Sequence, residues 1–537
     1  MITENIIIKD WRKIDFSFGL IYPNTYKIGM SSYSIRLLYF LINSYENIAC
    51  ERIFLPDNIN LKYPASKDYS SKNVLRSLEN KVLPEDFDIL GFSLHFENDF
   101  KNILWILDKA EIPLTSQKRY TALIEDNKKF PILIGGGPTI TSNPMPFSDF
   151  FDIMFIGDAE ESLKIFFKIF QEYRIGSLKF QEFLEKAGLI EGVYIPALNN
   201  KVKRAVLKDL DDSPTPIFQL ISKAYNEKSI FEHNFFVEIN RGCPFQCKFC
   251  ISSFHNFPFR NRSYQNIKKA IENGMKYSKF ETISLIGSCV SSHPKFKQIC
   301  KYIINNGKRL TIPSIRIEHI DTEIIQILEQ ANIKTITIAP ETGSESLRFG
   351  LGKLITNEKI ISVLNEIKNS KIKNVKFYFL IGLPGEHEQS IEDIITLLKL
   401  INEMGFNKDA LRVNINPFVP KLNTPYEKEV FFYLEDNIDE LTKKYQKLET
   451  ELKNVSSIKL KFKNFKYIIK STKLQTIISL GNKQILDLLL DYYYHGAKLS
   501  SLKKAEKRLS FSINDYLLKI KECYTPWSFT INSFKKK

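Results

Sequence analysis

Cysteine and histidine are both scarce in this chain of 537 residues, which contains seven of each. The cysteines are Cys50, Cys243, Cys247, Cys250, Cys289, Cys300 and Cys523. A small, odd number of cysteines, with three of them close together, argues against the disulfide framework of a secreted protein. The pattern instead favours a reducing compartment and a metal site.

Long apolar runs are also missing. No stretch of about 18 uncharged apolar residues occurs, and the first residues include an acid and lack the apolar core of a signal peptide. We therefore expect a protein that is not transmembrane and that is cytoplasmic. The length and a hydrophobic content of 43% predict two or three globular domains.

Acidic residues are outnumbered, because 61 Asp and Glu oppose 76 Lys and Arg, for a net charge of +15. From Lys421 to Lys537 the sequence contains 23 basic and 13 acidic residues, a net of +10. Such a surface can attract nucleic acid or an anionic membrane surface. A lysine-rich, solvated helical face explains the same excess, and no aromatic-interleaved motif accompanies it.

Residues 1–175 alternate between strand and helix patterns. Strands are predicted at 16–22, 87–94, 131–134 and 152–156, and helices at 32–44 and 98–110. This alternation predicts an α/β domain that is Rossmann-like (flavodoxin-like), with a parallel sheet covered by helices. Glycine-rich turns follow several of these strands, at the edge where parallel sheets bind ligands.

Residues 176–230 lose this periodicity and include a Pro- and acid-rich stretch typical of a connector. From 231 to 425, strand patterns recur at 235–239, 282–286, 311–317, 335–339, 375–381 and 411–416. Six such units, separated by helical patterns, predict a partial (β/α)6 barrel of the TIM type, with its chemistry at the strand carboxyl ends. Residues 426–537 are basic and mainly helical in pattern.

Cys243, Cys247 and Cys250 lie on a short loop directly after the first barrel strand. Three thiolates can hold three irons of a four-iron cubane, and the fourth iron then keeps an open position. A zinc site is the alternative, but zinc needs a fourth ligand. The nearest histidine, His255, lies five residues after Cys250 in a phenylalanine-rich loop. The spacing therefore favours an iron–sulfur cluster.

The CxxxCxxC spacing, an aromatic residue before the last cysteine and the six βα units resemble the radical SAM superfamily over residues 231–425. The resemblance implies a [4Fe-4S] cluster on Cys243, Cys247 and Cys250. It implies that the open iron binds S-adenosylmethionine (SAM), whose reductive cleavage releases a 5′-deoxyadenosyl radical. It also implies an external electron donor such as flavodoxin or ferredoxin.

The resemblance extends to segments at the ends of the other barrel strands. It implies SAM contacts from Phe249, Gly287, Ser288, Ser314, Arg316, Glu341, Gly343, Ile381 and Gly382. An arginine can bind the SAM carboxylate bidentately, and a glutamate can accept from ribose hydroxyls. For Arg316, an ion pair with Glu318 is the alternative. Where the family often has Gly-Gly-Glu, this chain has Gly287-Ser288 and lacks the glutamate.

Cys289 follows that turn and is a candidate hydrogen-atom donor. An isolated cysteine is, however, more often a small buried apolar residue. We interpret Cys50, Cys300 and Cys523 as structural, and the small number of cysteines outside the loop predicts a single cluster.

Residues 1–175 resemble the cobalamin-binding-type domain that precedes the barrel in one large subgroup of the superfamily. The likeness implies cobalamin contacts from Gly29, Ser31, Ser93, Gly135, Gly136 and Gly137. The Asp-x-His-x-x-Gly signature that supplies a histidine to cobalt is missing. His95, the only histidine of this domain, is interpreted as structural, so we expect no histidine ligand to cobalt from this domain.

The leading hypothesis is a cobalamin-dependent radical SAM methylase that acts on an unactivated carbon. One alternative is a radical rearrangement, cyclisation or carbon–carbon coupling without cobalamin. The other is an RNA-binding or scaffold protein with a vestigial cluster, which would use the basic carboxyl-terminal region.

Overall fold

A computed structural model describes residues 6–57, 61–65, 74–218, 234–434, 437–460, 464–522 and 527 of the chain. The predicted domain boundary between residues 230 and 231 lies outside these residues, as does Cys523. Within them, no helix combines the length and the apolar character needed to cross a membrane.

The amino-terminal domain is built on a six-stranded sheet, in which the first five strands are parallel and the last is antiparallel. These strands are β1 (Phe16–Thr25), β2 (Ile48–Leu55), β3 (Ile89–Ser93), β4 (Ile132–Gly136), β5 (Ile153–Phe155) and β6 (Val193–Tyr194). Their spatial order is 2-1-3-4-5-6. This order confirms the flavodoxin-like prediction and puts the expected ligand-binding edge where β1 and β3 diverge.

Strand β2 is missing from the sequence prediction. All eight of its residues are buried, so it shows no alternation between apolar and polar positions. It also contains a charged residue, Arg52, whose Nε lies 2.8 Å from Oε1 of Glu79, with both side chains 0% exposed. The charge is therefore neutralised inside the domain.

We expect Glu79→Ala to lower the free energy of unfolding by about 3–5 kcal/mol, because it removes the carboxylate that pairs with the buried guanidinium of Arg52. Chemical denaturation followed by circular dichroism measures the change. The matched control is Glu172→Ala, because both side chains of its ion pair with Lys186 are about half exposed. This control is expected to cost at most about 1 kcal/mol. Equal losses in the two variants would contradict the prediction.

The second domain contains all six predicted barrel strands in two parallel sheets. One sheet holds β7 (Asn234–Glu238), β10 (Thr282–Ile286) and β11 (Arg309–Thr311), and the other holds β12 (Thr335–Glu341), β13 (Asn374–Ile381) and β14 (Leu411–Pro417). Between β7 and β10, a short antiparallel ribbon is formed by β8 (Asn240–Arg241) and β9 (Arg260–Asn261). Among the described residues no backbone pairing joins β11 to β12, so the barrel is partial, as predicted.

The third barrel strand differs from its prediction at 311–317, because it ends at Thr311. Pro313 follows two residues later and has no N–H to donate to a neighbouring strand. Ser314 and Arg316 therefore lie on the loop after β11 and not on the strand itself.

Helices cover the sheets on their outer faces. Those of the amino-terminal domain are α1 (Tyr26–Gly29), α2 (Tyr33–Asn43), α3 (Phe100–Lys109), α4 (Ser116–Glu125), α5 (Pro138–Ser142), α6 (Glu160–Arg174) and α7 (Phe180–Gly188). Those of the barrel are α8 (Ile251–Phe254), α9 (Tyr264–Tyr277), α10 (Phe296–Asn305), α11 (Thr322–Gln330), α12 (Glu345–Gly350), α13 (Asn357–Lys368) and α14 (Glu388–Glu403). The carboxyl-terminal helices are α15 (Ile438–Leu452), α16 (Phe465–Leu480), α17 (Leu486–Tyr494), α18 (Leu499–Leu509) and α19 (Ile513–Glu522).

The carboxyl-terminal region contacts both domains. Its strand β15 (Ile458–Leu460), which the sequence did not predict, pairs with β14 and extends the barrel sheet. Ile477 of α16 and Leu489 of α17 share one buried core with Phe100 and Leu104 of α3. This mainly helical region therefore helps to hold the two domains together.

Candidate active site

The cysteine loop lies between β8 and α8, at the carboxyl end of the first barrel strand. Gly242 has a φ of 79°, and a Cβ there would lie 2.4 Å from a backbone oxygen, so the loop requires glycine at this point. The Cys250 amide donates to the Cys247 carbonyl at 3.0 Å, and the Lys248 amide donates to the Leu351 carbonyl at 2.9 Å. These bonds fix the loop against the segment after α12.

The three thiols of the loop interact electrostatically. Cys243 and Cys247 each interact with Cys250, and Cys247 is buried while the other two are half-buried. Burial raises the pKa of Cys247, against the opposing effect of the nearby cations Lys353 and Arg316. Three thiols beside two cations fit an iron–sulfur cluster, in which each thiolate binds its own iron. The three thiols of such a site therefore need not surround a single metal ion. In the described part of the chain, no three cysteine, histidine or carboxylate side chains are grouped around one such position.

His255 is poorly placed to complete a zinc site. Its Nε2 donates to the carbonyl of Leu422 at 2.8 Å, so this nitrogen is not available to a metal. Burial lowers the pKa of His255 to about 4, which keeps the ring neutral. These contacts are those of a structural histidine.

A fourth thiol, that of Cys289, lies beside the cysteine loop. Its Sγ is 3.1 Å from Oγ of Ser292, and it interacts electrostatically with the thiol of Cys243. The contact with Cys243 lowers the pKa of the Cys289 thiol to about 6. Cys289 is therefore near enough to the candidate cluster ligand Cys243 for the two thiols to affect each other's pKa.

Arg316 contacts the same loop. Its guanidinium carbon lies 3.5 Å from the centroid of the Phe245 ring, and its charge interacts with the thiol of Cys247. Its Nε donates to Oε1 of Glu318 at 3.0 Å. The ion pair that the sequence left as the alternative is therefore present, and it holds the guanidinium at the cysteine loop.

Glu341 is the last residue of the fourth barrel strand, and Gly343 lies just after it. Glu341 has a φ of 70°, in the left-handed region, and its Oε1 accepts from Nζ of Lys353 at 2.8 Å. Its carboxylate is therefore already paired. A Cβ on Gly343 would lie 2.2 Å from the backbone of Asp393, so helix α14 leaves no room for a side chain at this position.

The remaining predicted SAM contacts have different surroundings. The side chain of Ile381 is fully buried in the barrel core, so only its backbone can meet a ligand. The Gly382 amide donates to Oε1 of Glu386 at 3.0 Å. Phe249 packs on a small apolar cluster that includes Leu383. Ser314 is exposed and lines a separate cavity of about 560 Å³ between β11 and β12.

A cavity of about 380 Å³ lies between the two domains. The amino-terminal domain contributes Ser93 and Gly137, and the barrel contributes Gly287 and Ser288. All four residues follow or end parallel strands, at the edges where such sheets bind ligands. The structure thus brings together two sets of predicted residues, one from each domain, around one cavity.

A smaller cavity of about 70 Å³ shares Ser93 and Gly137 with this one and reaches Gly136 and apolar side chains of the amino-terminal domain. Three other predicted cobalamin contacts line neither cavity. A Cβ on Gly29 would lie 2.3 Å from the Phe54 ring, and one on Gly135 would lie 2.8 Å from the Phe151 ring. The Ser31 hydroxyl donates to the Ile28 carbonyl at 2.6 Å. In the structure these three residues make packing and turn contacts.

His95 lies just after β3. Its Nε2 is 3.0 Å from the Ser34 hydroxyl and 3.1 Å from the Ser93 hydroxyl, and its ring packs on Tyr22. Burial lowers the pKa of His95 to about 4. A neutral, hydrogen-bonded ring is typical of a structural histidine, which is the role predicted for His95.

Sequence reasoning missed Arg241, which directly precedes the cysteine loop and lines the interdomain cavity. Its guanidinium donates to Asp158 and Glu160 of the amino-terminal domain and to Glu238 of β7, each at 2.9 Å. Arg260 also binds Asp158, at 2.5 Å. A single arginine after a strand has no periodic signal, so its position at the cavity could not be predicted from the sequence pattern.

Two known families match the chain, one over each domain. Residues 34–196 match the family of radical SAM proteins, N-terminal, and residues 237–398 match the radical SAM superfamily. An uncharacterized protein of Methanocaldococcus jannaschii is 27% identical over 491 residues, which cover 91% of this chain and 94% of that protein. A tRNA-2-methylthio-N(6)-dimethylallyladenosine synthase of Natranaerobius thermophilus is 25% identical over 176 residues, or 30% of this chain and 39% of its own length.

Two solved structures share the fold at low identity. The cobalamin-dependent S-adenosylmethionine radical enzyme OxsB, with aqua-cobalamin and SAM bound, has a TM-score of 0.51 at 14% identity, over 94% of this chain and 72% of its own. The radical SAM methyltransferase TsrM of Kitasatospora setae, with cobalamin and a [4Fe-4S] cluster bound, has a TM-score of 0.51 at 12% identity, over 77% of each chain. At these identities the likeness concerns the fold.

Proposed function

The chain belongs to the radical SAM superfamily, whose chemistry uses a [4Fe-4S] cluster and SAM, and from this premise we propose that it is a cobalamin-dependent methylase of an unactivated carbon. In this proposal Cys243, Cys247 and Cys250 hold the cluster. Ser93 and Gly137 of the amino-terminal domain, with Gly287 and Ser288 of the barrel, would hold cobalamin in the cleft between the two domains, where it would supply the chemistry for methyl transfer from SAM to the substrate.

The interdomain cavity is the observation that carries the proposal. It is lined by Ser93 and Gly137 on one side and by Gly287 and Ser288 on the other, so one ligand could contact both domains. Ser93, Gly136 and Gly137 present little or no side chain, which lets a large, flat ligand approach the sheet edge closely. The fold that the chain shares with OxsB and TsrM, whose structures contain cobalamin, gives further support.

The bound cluster would supply the electron that cleaves SAM. The chain itself would position the reacting groups and exclude water. Arg316 and Lys353 place positive charge beside Cys247, which offsets the charge of the thiolates. Phe249 and Leu383 belong to an apolar cluster near the loop that limits the access of water.

The proposal also includes a protein that donates electrons to the cluster. An external donor such as flavodoxin or ferredoxin would supply electrons at the exposed side of the loop, where Lys248 is exposed. Contact of the basic carboxyl-terminal region with nucleic acid or an anionic surface stays a prediction.

We expect purified, anaerobically reconstituted protein to bind cobalamin in an equimolar amount and to transfer a labelled methyl group from SAM to reduced cobalamin. Absorbance titration and chromatography of the labelled cobalamin measure the two results, and neither needs the final substrate. Reductive SAM cleavage without cobalamin binding would favour a rearrangement, cyclisation or coupling reaction. RNA binding that weakens with salt, without SAM cleavage, would favour the scaffold alternative.

A pair of serine variants locates the cobalamin. Ser34→Trp puts a large side chain into the interdomain cavity, so we expect cobalamin affinity to fall at least tenfold (about 1.4 kcal/mol or more) while iron content is unchanged. Ser31→Trp, three residues earlier in the turn before α2, is the control because Ser31 does not line the cavity. Equal affinities in the two variants would place cobalamin elsewhere.

A further inference from the structure

Two residues that line the interdomain cavity each have a buried polar atom without a hydrogen-bond partner among the described residues. These atoms are the hydroxyl oxygen of Tyr33 and Oδ1 of Asn240. Tyr33 begins α2 of the amino-terminal domain and Asn240 begins β8 of the barrel, so the two atoms come from opposite walls. A buried polar atom without a partner is costly unless a bound group or water satisfies it. The two atoms therefore mark where a ligand is expected to make polar contacts.

The side-chain amide of Asn240 is fixed in one orientation. Asn240 is 1% exposed, and its Nδ2 donates to the Cys289 carbonyl at 2.8 Å. The flipped amide would place its oxygen against that carbonyl oxygen, and two acceptors cannot form a hydrogen bond. A Cβ on Gly287 would lie 2.1 Å from Oδ1, so the glycine leaves room for this oxygen. The atom that Asn240 leaves for a ligand is therefore an oxygen that only accepts.

The hydroxyl of Tyr33 supplies the complementary function, because a phenol can donate its proton. Burial raises the pKa of Tyr33, so the hydroxyl keeps this proton and stays a donor. The hydroxyls of Ser34 and Ser93, which line the same cavity, already lie at hydrogen-bond distance from Nε2 of His95. The cavity thus offers a ligand a donor from the amino-terminal domain and an acceptor from the barrel.

The charged residues of the cavity disfavour an anionic ligand. Three carboxylates line it, those of Asp158, Glu160 and Glu238, and each accepts from the guanidinium of Arg241 at 2.9 Å. A ligand carboxylate would compete with these side chains for the arginine and would meet the acceptor oxygen of Asn240. A neutral carboxamide fits better, because its carbonyl accepts from a hydroxyl and its N–H groups donate to an oxygen.

We propose that Tyr33 and Asn240 recognise carboxamide groups on the rim of the corrin ring, an inference that rests on the cobalamin site proposed above. The Tyr33 hydroxyl donates to a carboxamide oxygen, and Oδ1 of Asn240 accepts from a carboxamide nitrogen. The two residues determine specificity, because they favour an amide over a carboxylate at the same place on the rim. No covalent bond forms or breaks in this recognition.

Tyr33→Phe separates ligand recognition from stability. Removal of the hydroxyl should weaken cobalamin binding about two- to tenfold, because one hydrogen bond to the ligand is lost. It should not lower the denaturation midpoint of the apoprotein, because the hydroxyl has no partner among the described residues to lose. Absorbance titration with cobalamin and chemical denaturation in its absence measure the two results.

Tyr39→Phe is the matched control on the same helix. The Tyr39 hydroxyl accepts from the Ile7 amide at 2.9 Å, and Tyr39 does not line the cavity. This variant should show the reverse pattern, with a lower denaturation midpoint and wild-type affinity for cobalamin. A Tyr33→Phe protein with wild-type affinity, or one that loses stability as Tyr39→Phe does, would overturn the inference.

Derivatives of cobalamin test the preference for an amide. In the cobalamin monocarboxylic acids, a carboxylate replaces one carboxamide of the rim. The derivative altered at the recognised position should bind the wild type at least about tenfold more weakly than cobalamin does, because an anionic oxygen meets Oδ1 of Asn240. Asn240→Ala removes that oxygen and should reduce the difference, whereas Tyr33→Phe should retain it.

The outcomes distinguish this inference from the proposed function. Equal affinity of the wild type for cobalamin and for every monocarboxylic acid would overturn the inference and leave the proposed function intact. Failure of the wild type to bind cobalamin at all would overturn the proposed function, and the inference with it. If Asn240→Ala does not fold, the comparison of Tyr33→Phe with Tyr39→Phe still decides, because both changes remove only a hydroxyl.

Discussion

Removal of two loop thiols in Cys243→Ala/Cys247→Ala is expected to abolish the cluster and the reductive cleavage of SAM. The variant keeps only Cys250 on the loop, one thiol where a cubane with one open iron needs three. Bound iron should fall from about four to below one per chain after anaerobic reconstitution. Formation of 5′-deoxyadenosine should fall by more than about 100-fold, beyond the 10–100-fold cost of losing a group that only supports a metal ligand.

The matched control is Cys50→Ala/Cys300→Ala, which removes the same number of thiols from sites away from the loop. Both residues are buried, Cys50 in β2 and Cys300 in α10, and neither is near the cysteine loop in sequence. We expect this variant to lose some stability and to keep its iron and its SAM cleavage. An iron assay and chromatographic measurement of 5′-deoxyadenosine check both variants. A loop variant that keeps four irons would show that other ligands hold the metal.

Local sequence was sufficient where a residue's role is set by its neighbours in the chain. Strand β10 occupies Thr282–Ile286, the range that its pattern predicts, and the cysteine loop follows β7 as expected. Ser93 and Gly137 line the cavity that their positions at strand ends indicate. In each case a short periodic run, followed by a turn, carries the whole signal.

Local sequence failed where distant residues decide the structure. Strand β2 has no alternation because both of its faces are covered, and its Arg52 is tolerated only because Glu79 neutralises it. Gly29 and Gly135 have the composition of a ligand-binding turn, but they are glycines because aromatic rings pack directly on them. A turn that binds a ligand and one that packs on a ring look alike until the partners are known.

The carboxyl-terminal region illustrates the same limit. Its helical patterns were recognisable, whereas its core is shared with α3, more than 300 residues earlier in the chain, and its strand β15 pairs with β14 of the barrel. The ion pair across the interdomain cleft likewise could not be predicted, because Arg241 and Asp158 come from separate domains.

Arg241→Met is the second change for which we expect a large effect. It removes the cation that three carboxylates share, those of Asp158, Glu160 and Glu238, in a region where the arginine side chain is only 14% exposed. Loss of one partner of a buried ion pair costs about 3–5 kcal/mol of unfolding free energy. Because Arg241 links the two walls of the cleft, we also expect cobalamin affinity to fall at least tenfold (about 1.4 kcal/mol or more).

Arg174→Met is the control for this change. It removes an ion pair with Asp88 in which the arginine side chain is 52% exposed, so it should cost at most about 1 kcal/mol. Chemical denaturation of both variants and absorbance titration with cobalamin provide the measurements. If Arg241→Met lost stability but bound cobalamin as the wild type does, Arg241 would be a structural residue only.

The pH dependence separates charge from packing in this variant. Burial favours the protonated form of Asp158, but Arg241 and Arg260 outweigh it and lower its pKa. Because the pKa of Asp158 is lowered in the folded protein, its charge stabilises the fold at pH values above the pKa of about 4 that it has in the unfolded chain. This contribution is lost as the pH falls through the pKa of Asp158 in the folded protein. The difference in stability between the wild type and Arg241→Met should therefore be largest near neutral pH and shrink in the apoprotein below about pH 4. A difference that stays constant with pH would mean that Arg241 acts through its aliphatic packing and not through its charge.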